Sequence, residues 1–178
     1  MDHKTSRRKF VQQTGLLAGG LAAARLFSNA NFFSGAAGVI KVALIGCGGR
    51  GTGAALQALS TTQNVQLVAM ADAFRDRLDD CYKSITGNLA ESGINASKVN
   101  VPEDRKFTGF DAYEKAIALA DVVLLTTPPG FRPVHFEAAV KQGKHVFMEK
   151  PVATDPAGIK KVLDAAQVAK QKKLNVVV

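Results

Sequence analysis

The sequence predicts an α/β fold, a doubly wound parallel sheet of about six strands with helices on both faces. Three observations predict it. Apolar, β-branched runs alternate with segments of helical spacing along the chain, the pattern of βα units that build a parallel sheet. Several of those runs are apolar throughout instead of alternating, as strands covered on both faces are. The first run, 39–45, passes straight into Gly46-Cys47-Gly48-Gly49-Arg50-Gly51, which reads as a strand, a tight turn and a helix start.

Each element follows in order. After the first strand a helix runs over roughly 51–59, and a second apolar strand over 65–71 ends in Asp72. A highly charged helix is expected over 73–90, then a polar connection over 93–104 and a short strand over 106–108. Asp111 serves as the N-cap acid of a brief helix. The run 121–126 is a fourth strand that stops at the turn Thr127-Pro128-Pro129-Gly130. The next helix begins near Pro133, a favourable first-turn residue, buries Phe136, Ala139 and Val140, and ends at Gly143. A fifth strand over 144–148 runs into Glu149-Lys150-Pro151. Asp155-Pro156 then caps a helix in which Ile159, Val162, Leu163 and Ala166 follow helical spacing, and 174–178 reads as a sixth strand. No internal repeat is present.

At 178 residues, 47% of them apolar, the chain is long enough for one good core and holds no apolar run of ~20 residues that would span a membrane. Residues 1–30 read as an export signal: Ser6-Arg7-Arg8-Lys9-Phe10-Val11 precedes a modest apolar, Gly/Ala-rich segment, with small residues at Ser28-Asn29-Ala30. A basic flexible arm is the plainer alternative. The paired arginines resemble the twin-arginine signal that exports folded proteins, which implies the twin-arginine export machinery as a partner and a periplasmic or cell-envelope location. Residues 31–38 form a linker, and 39–178 the folded domain.

This segmentation changes the meaning of the charge. The whole chain carries 23 basic and 15 acidic side chains, a net +8. Setting aside 1–30 removes Lys4, Arg7, Arg8, Lys9, Arg25 and one acid, Asp2, which leaves 18 basic and 14 acidic and a net +4. A nucleic-acid partner is therefore not expected, since Lys160, Lys161, Lys170, Lys172 and Lys173 read as one wet helix face without interleaved aromatics.

The glycines carry the chemistry of the first loop. Gly46 permits the sharp turn, Gly48 lets a backbone approach phosphates, and Gly51 lets the helix pack close to the sheet. With Gly49 and Arg50 they form a loop whose helix points free amides and a positive dipole end at an anion. Asp72, about twenty residues beyond the last glycine, stands where a ribose-binding carboxylate is expected. Together these predict a dinucleotide site. Asp72 favours NAD, because a carboxylate accepts ribose hydroxyls and repels a 2′-phosphate, while Arg75 keeps NADP open.

Other candidates are weaker on pattern alone. Two cysteines are too few for a disulfide framework, and both Cys47 and Cys81 are expected free, Cys47 as a small residue tolerated by the turn. His3, His135 and His145 share no metal-ligand spacing with them, so no metal site is expected. His135 fits a cofactor-side role or a simple helix start equally well. Glu149-Lys150-Pro151 lies just beyond a buried strand, where a lysine could exchange a proton with a substrate hydroxyl, although a solvated lysine fits the pattern too.

The glycine loop, the strand ending at Asp72, the Thr127-Pro128 turn with His135 downstream, and Gly143-Lys144-His145-Val146-Phe147-Met148-Glu149-Lys150-Pro151 together resemble the N-terminal Rossmann domain of Gfo/Idh/MocA oxidoreductases. The resemblance covers 39–178. It implies that Lys150 contacts substrate and assists proton transfer, that Glu149 lies near the nicotinamide ribose, and that Thr127 and Pro128 line the cofactor. It further implies a sugar, polyol or sugar-derivative substrate, a second α/β domain that this sequence does not enter, and a homo-oligomer for a full-length form. By that resemblance the expected reaction is NAD(P)-dependent hydride transfer, with an NAD-dependent glycosidase and a nucleotide-binding module without catalysis as alternatives. An exported enzyme meets little free NAD, so tight binding before export is expected.

Overall fold

The computed structural model describes residues 38–178. The expected export signal over 1–30, and all but the last residue of the expected linker, lie outside the described residues. Six strands form one sheet: β1 (Ile40–Ile45), β2 (Val65–Asp72), β3 (Lys106–Thr108), β4 (Val122–Leu125), β5 (His145–Met148) and β6 (Val176–Val177). Every pairing is parallel, and the spatial order is β3-β2-β1-β4-β5-β6. Chain order reverses between β1 and β4, which opens a crevice at the carboxyl ends of those two strands.

Five helices connect them: α1 (Gly49–Leu59), α2 (Arg75–Asn88), α3 (Ala112–Ala118), α4 (Arg132–Lys141) and α5 (Pro156–Gln171). The polar connection between α2 and β3 holds two short 3-10 turns, Ala96–Lys98 and Glu103–Arg105. The two faces of the sheet carry separate cores, and β1 feeds both because successive side chains point to opposite sides. Val42 and Leu44 join Leu59 of α1 and Leu78 and Ile85 of α2, whereas Ala43 and Ile45 join Ile117 of α3 and Phe136 and Val140 of α4. This double cover is why the strand is apolar at every central position.

Three of the five helices, α1, α3 and α4, end in a shared way. Lys98 Nζ donates to the Leu59 and Thr61 carbonyls at 2.8 Å, beyond the end of α1. Lys172 Nζ donates to the Val140 and Lys141 carbonyls at 2.9 Å at the end of α4, and Lys144 Nζ to the Ala118 carbonyl at 3.3 Å at the end of α3. A cation at a helix C-terminus answers orphaned carbonyls and the negative dipole end together.

Five details differ from the sequence expectations. Helix α1 starts at Gly49, two residues early, because extended Gly48 (φ −81°, ψ −177°) already completes the turn. Asp111 sits at the N-cap of α3 but its carboxylate makes no cap bond, its own backbone being near-helical (φ −98°, ψ −4°) where a cap needs extended geometry. Strand β6 is only two residues long. On α5, Ile159 and Leu163 are exposed at 41% and 59%, while Ala165 and Ala169 are buried. Small residues set that face: a Cβ on Gly158 would come within 3.2 Å of the Pro133 ring, so the helix lies too close for large side chains there. Asp155 does cap α5 as expected, accepting the Gly158 N–H at 2.8 Å. Lys172, expected on the wet helix face, instead lies past the helix end on the carbonyls of α4.

Candidate functional site

The glycine loop divides into two positions that must be glycine for packing and two that leave space. Gly46 has φ +98°, and a Cβ there would stand 2.6 Å from the Thr127 amide nitrogen. A Cβ on Gly51 would overlap the Gly46 carbonyl oxygen and lie 2.8 Å from Thr126 Oγ1. Gly48 and Gly49 meet nothing within 4 Å. The first pair seats loop, helix and the β4 turn on one another, and the second leaves the N-terminus of α1 open to an anion.

Asp72, at the end of β2, faces this loop. Its Oδ2 accepts the Cys47 N–H at 2.6 Å and its Oδ1 accepts the Phe74 N–H at 3.0 Å. Each carboxylate oxygen keeps capacity for a further donor such as a ribose hydroxyl. Arg75, the residue that keeps NADP open, is bound to Asp79 at 2.9 Å and to Glu103, and Arg77 lines the cleft in its place.

Across the cleft, a buried arginine organises the second half. Arg132, 6% exposed at the start of α4, donates from Nε to the Thr127 carbonyl at 2.7 Å. It donates from one terminal nitrogen to the Glu149 carbonyl at 2.8 Å and to the Pro151 carbonyl. One guanidinium thus ties the Thr127-Pro128 turn to the Glu149-Lys150-Pro151 segment, with its fork geometry matched to several acceptors at once. Sequence reasoning missed Arg132, because an arginine beside a helix start ordinarily reads as surface; its position three residues before the equivocal His135 was the available signal.

His135 is buried, its Nδ1 3.2 Å from Thr127 Oγ1 and its ring 4.3 Å from that of Tyr113. Burial pushes its pKa down to about 4, so the imidazole is neutral at pH 7. His135 lies in the first turn of α4 and also lines the cleft, so both placements its sequence allowed coincide here. Glu149 accepts from Arg50 Nε at 2.8 Å, and that bond holds its carboxyl below the usual range. Lys150 is exposed beside it, and the Lys150–Pro151 peptide is cis.

A cavity of about 690 Å³ opens between these halves, lined by Gly46, Gly48, Gly49, Arg50, Asp72, Thr127, Pro128 and His135 among the expected residues. Gly51 is buried beneath it, and Glu149 and Lys150 stand beside it and not in its lining. Phe74, Phe110 and Phe131 line it too, exposed at 60%, 71% and 47%, and Phe110 and Phe131 stack at 6.2 Å. Aromatic faces at a cleft mouth suit a planar ring, and an open helix N-terminus suits a diphosphate. The residues present therefore fit a dinucleotide. Among the described residues no group of three or more His, Cys, Asp or Glu could hold a metal ion.

Known proteins give the same picture. The family described as "Oxidoreductase family, NAD-binding Rossmann fold" matches residues 40–177. A glycosyl hydrolase family 109 protein of Solibacter usitatus is 29% identical over 84% of this chain and 34% of its own length. An inositol 2-dehydrogenase of Cereibacter sphaeroides is 24% identical over 71% of this chain and 32% of its own. Among solved structures, a putative myo-inositol dehydrogenase from Sinorhizobium meliloti superposes with a TM-score of 0.53 at 26% identity, covering 78% of this chain and 35% of that one. The chain spans about a third of the length of these relatives.

Proposed function

We propose, given that this chain belongs to the Gfo/Idh/MocA family of oxidoreductases with an NAD-binding Rossmann fold, that it holds NAD for hydride transfer to or from a sugar, polyol or sugar derivative. The observation that carries the reading is the convergence of the open amide end of α1, Asp72 and the Arg132-tied Thr127 and Glu149 segments on one cleft. Residues 39–178 are its dinucleotide-binding domain, preceded by an export signal over 1–30 and a linker over 31–38.

In this reading the amides at Gly48 and Gly49 meet the diphosphate, and Arg50 adds a positive charge beside them. Asp72 accepts the adenosine ribose hydroxyls, which favours NAD over NADP. Nicotinamide, when bound, supplies the carbon that accepts or gives hydride. Lys150 takes the proton of the substrate hydroxyl while the C–H bond yields hydride, and passes it on to solvent or a base of the substrate region. Glu149 stays ionised next to the nicotinamide ribose. Arg132 fixes the backbone that carries both, and neutral His135 orients the Thr127 hydroxyl toward the cofactor, which Pro128 also lines. Tight cofactor loading, passage through the twin-arginine machinery to the cell envelope, and homo-oligomer formation complete the proposal.

The relatives named glycosyl hydrolase family 109 favour a second reading, in which the same cofactor is used and hydrolysis of a glycoside is the net reaction. Denaturing the purified chain and identifying any released nucleotide by mass, then titrating the emptied chain with NAD and NADP, tests the binding claim. NAD is expected to be released, or to bind more tightly than NADP. Release and binding of neither would overturn it. Reduced cofactor accumulating with a free polyol supports dehydrogenation in the whole protein, and sugar released from an aryl glycoside without net reduction supports hydrolysis.

A further inference from the structure

Asp72 anchors more than its own strand. Its Oδ1 accepts the Phe74 N–H at 3.0 Å, and its backbone carbonyl accepts the Gly109 N–H at 3.1 Å, one residue before Phe110. The loops after β2 and β3 are thus pinned to the same residue, and each brings a phenylalanine into the lining of the cleft. Phe110 stacks on Phe131, from the loop after β4, at 6.2 Å between centroids and 28° between planes. Phe131 stacks in turn on buried His135 at 6.2 Å and 18°. Phe74 stacks on no other ring among the described residues. Three exposed phenyl rings in one concave site leave apolar surface for a ligand to cover.

We propose that Phe74 and the Phe110–Phe131 pair seat the adenine of the cofactor, and that they hold it by ring stacking, so that the site accepts other purines in its place. The placement follows from connectivity. A base is joined directly to its ribose, so a ribose held by Asp72 puts the base beside Phe74 and Phe110. Strands β1 and β4 then separate it from the Glu149-Lys150 segment that follows β5. A ring inserted between Phe110 and Phe131 needs about 7 Å, two contacts of ~3.5 Å, so the base lies against the pair and not within it. The identity of the base rests on the dinucleotide reading, whereas the stacking seat is a property of the rings.

The side chains around this seat do not read a base edge. Ala73, Gly109 and Ala112 bring no polar side-chain group to the lining. The Tyr113 hydroxyl donates to Glu114 Oε1 at 3.2 Å. Arg77 has donors only, and the 6-amino group that distinguishes adenine is itself a donor. Asp72 is taken by two backbone amides and, in this reading, by the ribose hydroxyls. Stacking needs a π-face, which every purine offers.

The test is titration of the full 178-residue chain with nucleotides, followed by calorimetry. Nicotinamide hypoxanthine dinucleotide keeps both purine rings and replaces the amino group by an oxygen, and its Kd is expected within about threefold of that for NAD. Phe110→Ala, at an exposed position, is expected to keep the parent's urea midpoint, to weaken NAD and AMP alike by about tenfold, and to leave nicotinamide mononucleotide unchanged. Phe110→Tyr restores that affinity and Phe110→Leu does not. The chain has no tryptophan, so in Phe110→Trp the introduced indole is the only one, and AMP is expected to quench its fluorescence. A hypoxanthine dinucleotide bound more than about threefold more weakly than NAD overturns the tolerance for other purines. Parent-like NAD affinity in Phe110→Ala or Phe110→Leu, or an indole that bound AMP leaves unquenched, overturns the stacking seat. A chain that binds AMP with quenching but does not bind NAD sinks the dinucleotide reading and leaves the seat standing. Binding of neither overturns both.

Discussion

On the β1–β2 side of the cleft the chain makes room by leaving side chains out, whereas on the β4–β5 side it fixes the backbone by putting a buried cation in. Gly46 and Gly51 bring main chain against main chain, and Gly48 and Gly49 leave the cavity open. Arg132 does the reverse, since its guanidinium supplies the donors that three carbonyls in two separate segments need. The difference shows that a cleft can be shaped by steric exclusion at one wall and by electrostatic attraction at the other. The first mechanism is local in sequence, and the second joins residues brought together only by the sheet.

The largest expected effect breaks the steric wall. Gly51→Ala forces a Cβ into the Gly46 carbonyl and is expected to cost about 3 kcal/mol or more in urea unfolding, or to abolish soluble expression. Gly48→Ala sharpens the contrast: its Cβ enters open space, so stability changes by less than about 1 kcal/mol while NAD binding weakens more than about tenfold, measured by calorimetry. An equal stability loss in both variants would erase the division between packing and space.

Breaking the electrostatic wall comes next. Arg132→Met keeps an unbranched side chain but strands the Thr127, Glu149 and Pro151 carbonyls, with an expected loss of about 2–3 kcal/mol from the urea midpoint. Arg132→Lys should recover only part of it, because an ammonium lacks the fork that reaches both segments. Full recovery by lysine would show that charge alone matters there.

A smaller effect comes from His135. Its folded pKa of about 4 lies below the ordinary unfolded value of ~6.5, so the unfolded chain binds more protons between those limits. Stability from this group is present in full above about pH 6.5 and is lost as pH falls toward 4, by about 2 kcal/mol between pH 7.5 and pH 5. His135→Gln should flatten that part of the urea midpoint against pH. An unchanged slope in the variant would assign the acid sensitivity elsewhere.

The steric wall was the legible one. The glycine spacing, the strand before it and Asp72 after it are contiguous signals, and β1, β2 and β4 followed from runs that double cover requires to be apolar. The site's other wall was legible only as a motif. Glu149-Lys150-Pro151 stood out, but nothing in the run Phe131-Arg132-Pro133 announces that its arginine reaches carbonyls in two other turns, since hydrogen bonds to backbone leave no mark on the sequence of the acceptor. His135 was undecided for the same reason, its burial depending on Tyr113 of another helix. The alanine face of α5 likewise exists only once helices are docked.

The lysines at the helix ends have a consequence for the cleft. Lys98, Lys144 and Lys172 each deliver an ammonium to the carbonyl end of a helix, at the sheet edge remote from the ligand side. Each such helix behaves as a bar magnet with one pole already short-circuited by a tethered ion. On α1 the other pole has no acidic side chain in its first turn. For α1 that pole is the open end beside Gly48 and Gly49, so the fold is wired to draw its counter-charge from outside the chain.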